Sequence, residues 1–173
     1  MGSSSFSGVS RVSVYAVRMT TEQQAAMFEP SANQHPITVA LPVADRHTTF
    51  AFYSEGLGFH SVGDPAEDGV PEPLQFALND GVRVMFIPTG GFGWVTGNRV
   101  TATSDQSECL LIVTVADQRE VRGMVDRARA AGAEIIMEPA EQRWGFTAVF
   151  ADPDGHLWQV RAATFEAPVA NQH

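Results

Sequence analysis

An internal repeat limits the folds open to this sequence more than any other feature. The tripeptide Val43-Ala44-Asp45 recurs 72 residues later as Val115-Ala116-Asp117. The pair Asp80-Gly81 recurs 74 residues later as Asp154-Gly155. A helix that is two residues longer in the second copy explains why the two offsets differ. The sequence therefore predicts two copies of one structural unit.

The first copy is predicted to contain a strand, a helix and a hairpin. Pro42 lacks a backbone N–H, so the β-rich stretch around it suits the edge of a sheet. Asp45 is suited to cap a helix that ends near Gly56 or Gly58. Asp80-Gly81 favours a tight hairpin because both residues tolerate the positive φ angles of its turn. The predicted elements are a strand at residues 37–43, the helix after Asp45, and hairpin strands at residues 74–78 and 82–87.

The second copy repeats this order and closes with a strong turn signal. Asp117 is suited to cap a helix that Gly132 ends. In the turn at residues 152–155, proline presets φ at the second position and glycine accepts the exit geometry. Beyond it, Trp158 and Gln159 point to opposite faces of a sheet because strand side chains alternate. The predicted elements are a strand at residues 109–115, the helix after Asp117, a short strand at 134–137, and strands at 145–151 and from 157.

The remaining segments do not share the repeat. The stretch from Pro88 to Ser107 is rich in glycine and threonine, which favours a linker or lid over a packed element. It lacks the following helix and the lysine that are typical of a phosphate-binding loop. The predicted segments are an N-terminal appendage at residues 1–34, a first module at 35–88, the linker or lid at 89–107, a second module at 108–163 and a C-terminal tail at 164–173.

Composition excludes several classes of function. The net charge is −9 and the eleven basic residues, all arginine, are scattered, so nucleic acid is not an expected partner. The absence of lysine excludes Schiff-base chemistry. No apolar run approaches the roughly 18 residues of a membrane span, and no secretory signal is recognisable, so a cytoplasmic protein is expected. The single Cys109 lies in an apolar stretch and is predicted to be a buried, inert thiol.

The two copies, with their motifs, resemble the vicinal oxygen chelate superfamily of glyoxalase I, bleomycin resistance proteins and extradiol dioxygenases. The resemblance runs from about Ile37 to Arg161. It implies an α+β fold in which two tandem β-α-β-β-β modules form a curved mixed sheet with helices on the outer face. The motifs that carry it are Leu41-Pro42-Val43 with Asp45, Phe52-Tyr53, Leu57-Gly58-Phe59, Ala130-Ala131-Gly132 and residues 152–158. Bacterial predicted lactoylglutathione lyases are the most similar members, through Phe92-Gly93, residues 107–110 and Trp144-Gly145-Phe146.

The resemblance also implies where a metal would bind. Metal-dependent members place four His or Glu ligands on inward-facing strand positions, which correspond here to Thr38, Met85, Leu110 and Gln159. A hydroxyl, a thioether, an isobutyl group and a neutral amide do not replace the imidazole and carboxylate donors of a divalent metal. The five histidines show no spacing that would converge on another site. We therefore predict neither a metal site nor a cofactor.

Alternation along the strands predicts a mostly apolar pocket with a few hydrogen-bonding groups, which is typical of a small-molecule site. Aromatic residues on adjoining loops would close over a flat ligand, or bury against the chain's own core or a second subunit. The predicted ligand-binding residues are Thr38, Arg83, Met85, Phe92, Trp94, Leu110, Ile112, Trp144, Gln159 and Arg161.

Three functions are compatible with these residues. The first is a metal-independent protein that binds a small organic molecule, with Arg83 and Arg161 contacting its polar or anionic groups. The second is a glyoxalase-like lyase or isomerase that uses Glu108 or Gln159 with an atypical metal site. The third is a regulatory or structural domain whose pocket is filled by its own side chains. The resemblance implies a homodimer in each case, because superfamily members commonly pair modules between chains.

Overall fold

The computed structural model describes residues 36–107 and 109–163. The predicted appendage and tail, together with Glu108, lie outside the described residues. The first module contains β1 (Ile37–Val43), α1 (Arg46–Phe50), a π-helix (Ala51–Gly56), β2 (Leu74–Asn79) and β3 (Val82–Pro88), followed by α2 (Thr89–Val95). The second module contains β4 (Leu110–Val115), α3 (Gln118–Ala130), β5 (Glu134–Gln142), β6 (Gly145–Ala151) and β7 (Leu157–Ala162). The α+β class and the tandem order of elements are confirmed.

The strands form two sheets of the same topology. The first sheet has the order β1-β3-β2 and the second has the order β4-β7-β6-β5. In each sheet the first strand pairs in parallel with the last, and the other neighbours are antiparallel. The counterpart of β5 in the first module is reduced to one bridge between Ser61 and Phe76. The predicted repeat is therefore present, with a three-stranded and a four-stranded version.

Both predicted helix caps are confirmed. The Asp45 side chain accepts a hydrogen bond of 2.7 Å from the Thr48 N–H, and the Asp117 side chain accepts one of 2.9 Å from the Glu120 N–H. The Glu120 carboxylate in turn accepts a bond of 3.0 Å from the Ala116 N–H, one residue before the cap. The Thr48 N–H also holds the pKa of Asp45 below its usual value. These bonds satisfy N–H groups that a helix start leaves without intrahelical partners.

The helices supply the side chains that join the two modules. The wider turn of the π-helix lets two successive residues, Phe52 and Tyr53, enter the core. Gly56 ends the π-helix against Ala131 of the second module, where an added Cβ would lie 2.4 Å from the alanine Cβ. One face of α3 is buried in the same core through Val121, Met124, Val125 and Ala128. The charged residues of α3 therefore lie on its outer side, as its period predicts.

Two sequence predictions are corrected by the structure. The glycine-rich start of the predicted linker forms the seven-residue helix α2, although glycine disfavours helix interiors. Cys109, which the sequence predicts to be buried, is exposed and lies just before β4. No helix within the described ranges is both long and apolar enough to cross a membrane.

A buried hydrogen-bond chain connects the modules through the closing turn. The Tyr53 hydroxyl donates to an Asp152 carboxylate oxygen at 2.6 Å and accepts from the Trp158 indole N–H at 2.8 Å. The other Asp152 oxygen accepts from the Asp154 and His156 N–H groups within the turn. Burial, followed by the nearby Asp152 charge, raises the pKa of Tyr53 well above its usual value. The Tyr53 hydroxyl therefore stays protonated and can donate its hydrogen bond to Asp152.

We predict that Tyr53→Phe lowers the free energy of unfolding by about 2–3 kcal/mol, because it leaves a buried indole N–H without its acceptor and one buried oxygen of Asp152 without its donor. Urea unfolding monitored by tryptophan fluorescence measures the change. Thr114→Val is the control, since it also removes one hydrogen-bonded hydroxyl, but at an exposed position. It should change stability by less than about 0.5 kcal/mol. Equal effects of the two substitutions would contradict the assigned role of Tyr53.

The same variant should show a characteristic pH dependence. Burial raises the pKa of Asp152, so the fold loses stability as the pH rises from the ordinary pKa of an aspartate to the raised one. The Tyr53 hydroxyl acts in the opposite direction, because its hydrogen bond favours the carboxylate. Without the hydroxyl the pKa is raised further, and the loss of stability relative to wild type should grow from acidic to neutral pH. Urea unfolding at a series of pH values measures it, and a constant difference would contradict the prediction.

Candidate functional site

The open face of the four-stranded sheet carries four of the predicted ligand-binding residues. Side chains at alternate positions of β4 and β7 point away from the core, as predicted from the period of two. Leu110 and Ile112 are 45% and 53% exposed, which is unusual for large apolar side chains in the middle of a domain. Ile112 is paired in register with Gln159, and Arg161 lies two residues further along β7. The structure therefore brings these four residues together on one surface.

This surface has an apolar part and a polar part. The row that contains Ile112 and Gln159 continues through Val149 of β6 to Met137 of β5. The next row contains Arg161, whose Nε donates a hydrogen bond of 2.9 Å to the Thr114 hydroxyl. That bond holds the guanidinium group at the border of the apolar row. The arrangement can accept a flat apolar body with a polar or anionic group at one side.

The open face of the three-stranded sheet carries three further predicted residues. Thr38 is paired in register with Arg83, and Ala40 is paired with Met85. Gln75 of β2 lies on the other side of Met85 in the same row. Arg83 and Thr38 are exposed and Met85 is half-buried. The two modules thus present similar surfaces. In each, an arginine lies two residues along the strand from a thioether or amide side chain, as Arg83 does from Met85 and Arg161 from Gln159.

The residues at the family's metal positions do not fit a metal. Thr38, Met85, Leu110 and Gln159 lie on the open faces of β1, β3, β4 and β7, as the register of the repeat predicts. None of them offers an imidazole or a carboxylate, which are the donors that a divalent metal selects. Within residues 36–107 and 109–163, no group of three or more His, Cys, Asp or Glu side chains is placed to hold a metal ion.

The three predicted aromatic residues occupy different surroundings. Phe92 is half-buried on α2 and lines a cavity. Trp94 on the same helix is 84% exposed, and Trp144 in the turn between β5 and β6 is 59% exposed. Within the described residues, neither tryptophan belongs to the hydrophobic core, so both side chains are accessible to a ligand. Their role stays a prediction.

One cavity within the described residues has a volume of about 760 Å³. It lies beside β1 and is enclosed by α2, by residues 99–107 of the linker and by the closing turn at residues 154–156. Of the ten predicted ligand-binding residues, only Phe92 is part of its wall. The wall combines segments distant in sequence, so only the assembled fold shows it. The glycine-rich linker was the one sequence signal of such a site.

The closing turn fixes one side of this cavity by binding to β1. Asp154 accepts a hydrogen bond of 2.7 Å from the Ala44 N–H, and the His156 Nε2 lies 2.7 Å from the Pro42 carbonyl oxygen. Gly155 between them has a φ of +94° and lies directly against the Ser104 backbone. The turn thereby connects the second module, the first strand and the linker.

A family model described as the Glyoxalase/Bleomycin resistance protein/Dioxygenase superfamily matches residues 35–160. No curated protein matches the sequence. The family model covers both modules, the linker between them and most of the closing strand. The match therefore agrees with the two-module architecture.

Solved structures share the fold at low sequence identity. A glyoxalase-related enzyme from Fulvimarina pelagi is 25% identical, with a TM-score of 0.63 over 75% of this chain and 88% of that one. A hypothetical protein from S. aureus is 21% identical, with a TM-score of 0.63 over 73% of this chain and 92% of that one. TnmS3, an antibiotic binding protein from Streptomyces sp. CB03234, is 22% identical, with a TM-score of 0.54 over 78% of this chain and all of that one.

We predict that Gly155→Ala destabilises the protein more than Gly69→Ala does. Both glycines have positive φ angles, of +94° and +83°, so both substitutions force an alanine into a conformation that costs about 1–2 kcal/mol. At Gly155 the new Cβ would also lie 2.4 Å from the Ser104 carbonyl oxygen, whereas nothing lies within 4 Å at Gly69. The clash should add about 1–3 kcal/mol to the loss in free energy of unfolding. Equal losses in urea unfolding would show that the turn does not pack on the linker.

Proposed function

Because the chain belongs to the glyoxalase/bleomycin resistance protein/dioxygenase superfamily, we propose that it binds a small organic molecule without a metal ion. The proposed site is the open face of the four-stranded sheet. The observation that carries the proposal is the exposure of Leu110 and Ile112 directly beside Gln159 and Arg161. An apolar surface bordered by a few polar groups is the usual composition of a small-molecule site.

The side chains suggest how a ligand would lie on this face. Ile112 is the exposed member of an apolar row that continues through the buried Val149 to the half-buried Met137, and a flat ring system would rest on Ile112. Gln159 interrupts that row with one donor and one acceptor group. Arg161, which Thr114 holds in place, would contact a polar or anionic substituent. Burial of Leu110 and Ile112 by the ligand would supply most of the binding free energy.

The other predicted residues extend this proposal. The rows with Thr38, Arg83 and Met85 on the three-stranded sheet would complete a pocket if two copies of the chain paired their modules, so we propose a homodimer. Trp94 and Trp144 are exposed aromatic side chains that can cover a flat ligand. A cytoplasmic location belongs to the same proposal.

The similar solved structures include both a binding protein and an enzyme. TnmS3 is an antibiotic binding protein, and the Fulvimarina pelagi protein is a glyoxalase-related enzyme. The donor set of this chain favours the first, because Thr38, Met85 and Leu110 offer no strong metal ligand. A glyoxalase-like lyase or isomerase would need a metal site built from other residues.

We predict that protein purified without chelator contains no stoichiometric metal. Nickel, zinc, iron and manganese would be measured by mass spectrometry of the purified protein. Ligands from a panel of aromatic antibiotics and glutathione conjugates should raise the melting temperature by mass action, and by the same amount with and without EDTA. One metal ion per chain, or a ligand response that EDTA abolishes, would favour the atypical enzyme instead.

We predict that Ile112→Asp weakens binding of a ligand found in that panel by at least about tenfold, because it places a charge in the apolar row that the ligand would cover. Ile37→Asp is the matched control, since Ile37 is 57% exposed and lies on β1 of the other sheet. Isothermal titration measures both affinities, and circular dichroism confirms that both variants fold. Unchanged affinity in Ile112→Asp, or equal losses in the two variants, would place the ligand elsewhere.

A further inference from the structure

The free edge of β1 presents backbone groups to the cavity of about 760 Å³. β1 is the outer strand of its sheet and pairs only with β3. Ile37 donates its N–H on the β3 side, to the Gly81 carbonyl. Pro42 and Ala44 instead direct their backbone groups to the closing turn, on the opposite side. Odd-numbered residues of β1 therefore hydrogen-bond within the sheet, and even-numbered residues point to its free edge.

This alternation assigns a direction to the backbone of Ala40. The N–H and C=O of one strand residue point to the same side, so both groups of Ala40 point to the free edge. Ala40 is half-buried and lies on the cavity wall. Within the described residues, no hydrogen bond pairs either group on that side. A donor and an acceptor thus lie side by side at a partly enclosed position, where polar groups normally find partners.

The other walls of the cavity are suited to an aromatic ring. Phe92 of α2 is half-buried and faces the cavity, and Ala102 of the linker lies on the wall with it. The carboxylate of Asp154 and the imidazole of His156 in the turn are already engaged by backbone groups of Ala44 and Pro42. Arg99 is the other charged residue of the wall and is exposed. The enclosed part of the cavity therefore favours a neutral ligand.

We propose that this cavity is a second binding site, which takes a neutral aryl amide. The amide would donate to the Ala40 C=O and accept from the Ala40 N–H, as an added strand does at a sheet edge. The aromatic ring would lie against Phe92. The volume is within the range of about 300–1,000 Å³ that is usual for small-molecule pockets. The site is distinct from the open face of the four-stranded sheet, which contributes none of the wall's residues.

Benzamide and acetophenone are the matched probes, because they share the ring and the carbonyl and differ by an amide NH₂ against a methyl group. Titration of isotope-labelled protein should show benzamide shifting the backbone amide signals of Ala40 and Ala102. Acetophenone should bind at least about tenfold more weakly, because it lacks the donor for the Ala40 carbonyl. Equal binding of the two probes, or shifts at Ile112 and Gln159 in place of Ala40, would overturn the proposal.

Ala40→Pro tests the backbone contact directly. Proline removes the N–H on the free edge while the sheet bonds of its neighbours remain, and an edge strand tolerates it. Benzamide binding should weaken at least about tenfold, whereas Ala40→Gly, which keeps the N–H, should bind within about twofold of wild type. If the proline variant fails to fold, Ala102→Trp, which fills the cavity, should abolish binding. Retained binding in a folded Ala40→Pro or in Ala102→Trp would contradict the assignment.

The two sites can be tested independently. Ile112→Asp should leave benzamide binding unchanged, because its side chain lies on the other sheet and outside the cavity. Ala102→Trp should leave binding on the open face unchanged for the same reason. Loss of benzamide binding in Ile112→Asp would show that the probe occupies the open face and would overturn the second site.

Discussion

The hydrogen bond between Tyr53 and Asp152 is the contact on which the relation of the two modules depends. Tyr53 comes from the π-helix of the first module, and Asp152 begins the closing turn of the second. Both are buried, so neither group can exchange its partner for water without opening the core. The carboxylate also organises its own turn through two backbone N–H groups. One buried side chain thus fixes the turn and attaches it to the other module.

The position of that turn determines what surrounds β1. Asp154 and His156 bind the end of β1, and Gly155 lies against the linker at Ser104. The cavity is enclosed by this turn, the linker, α2 and the middle of β1, where Ala40 lies. The closing turn that packs on β1 and the linker is therefore also part of the cavity wall.

The sequence predicted the features that depend on local chemistry. The caps at Asp45 and Asp117, the hairpin at Asp80-Gly81 and the alternation around Gln159 follow from residue type and period alone, and the structure has them. The helix α2 was missed because its glycines have poor helix propensity, which tertiary context overrides. The cavity was missed because its walls come from segments more than 100 residues apart. The lack of imidazole and carboxylate donors at the metal positions could be predicted from the sequence, since it depends only on which residue occupies each strand position.

β7 shows why the fold can persist while the site changes. Trp158 and Val160 point into the core, where packing and the bond to Tyr53 restrict which residues fit. Gln159 and Arg161 alternate with them on the open face, where no packing restricts them. A substitution at position 159 can therefore remove a metal donor without cost to the core. The two-residue period of the strand separates the requirements of folding from those of binding, so this chain can keep the superfamily's architecture without its metal ligands.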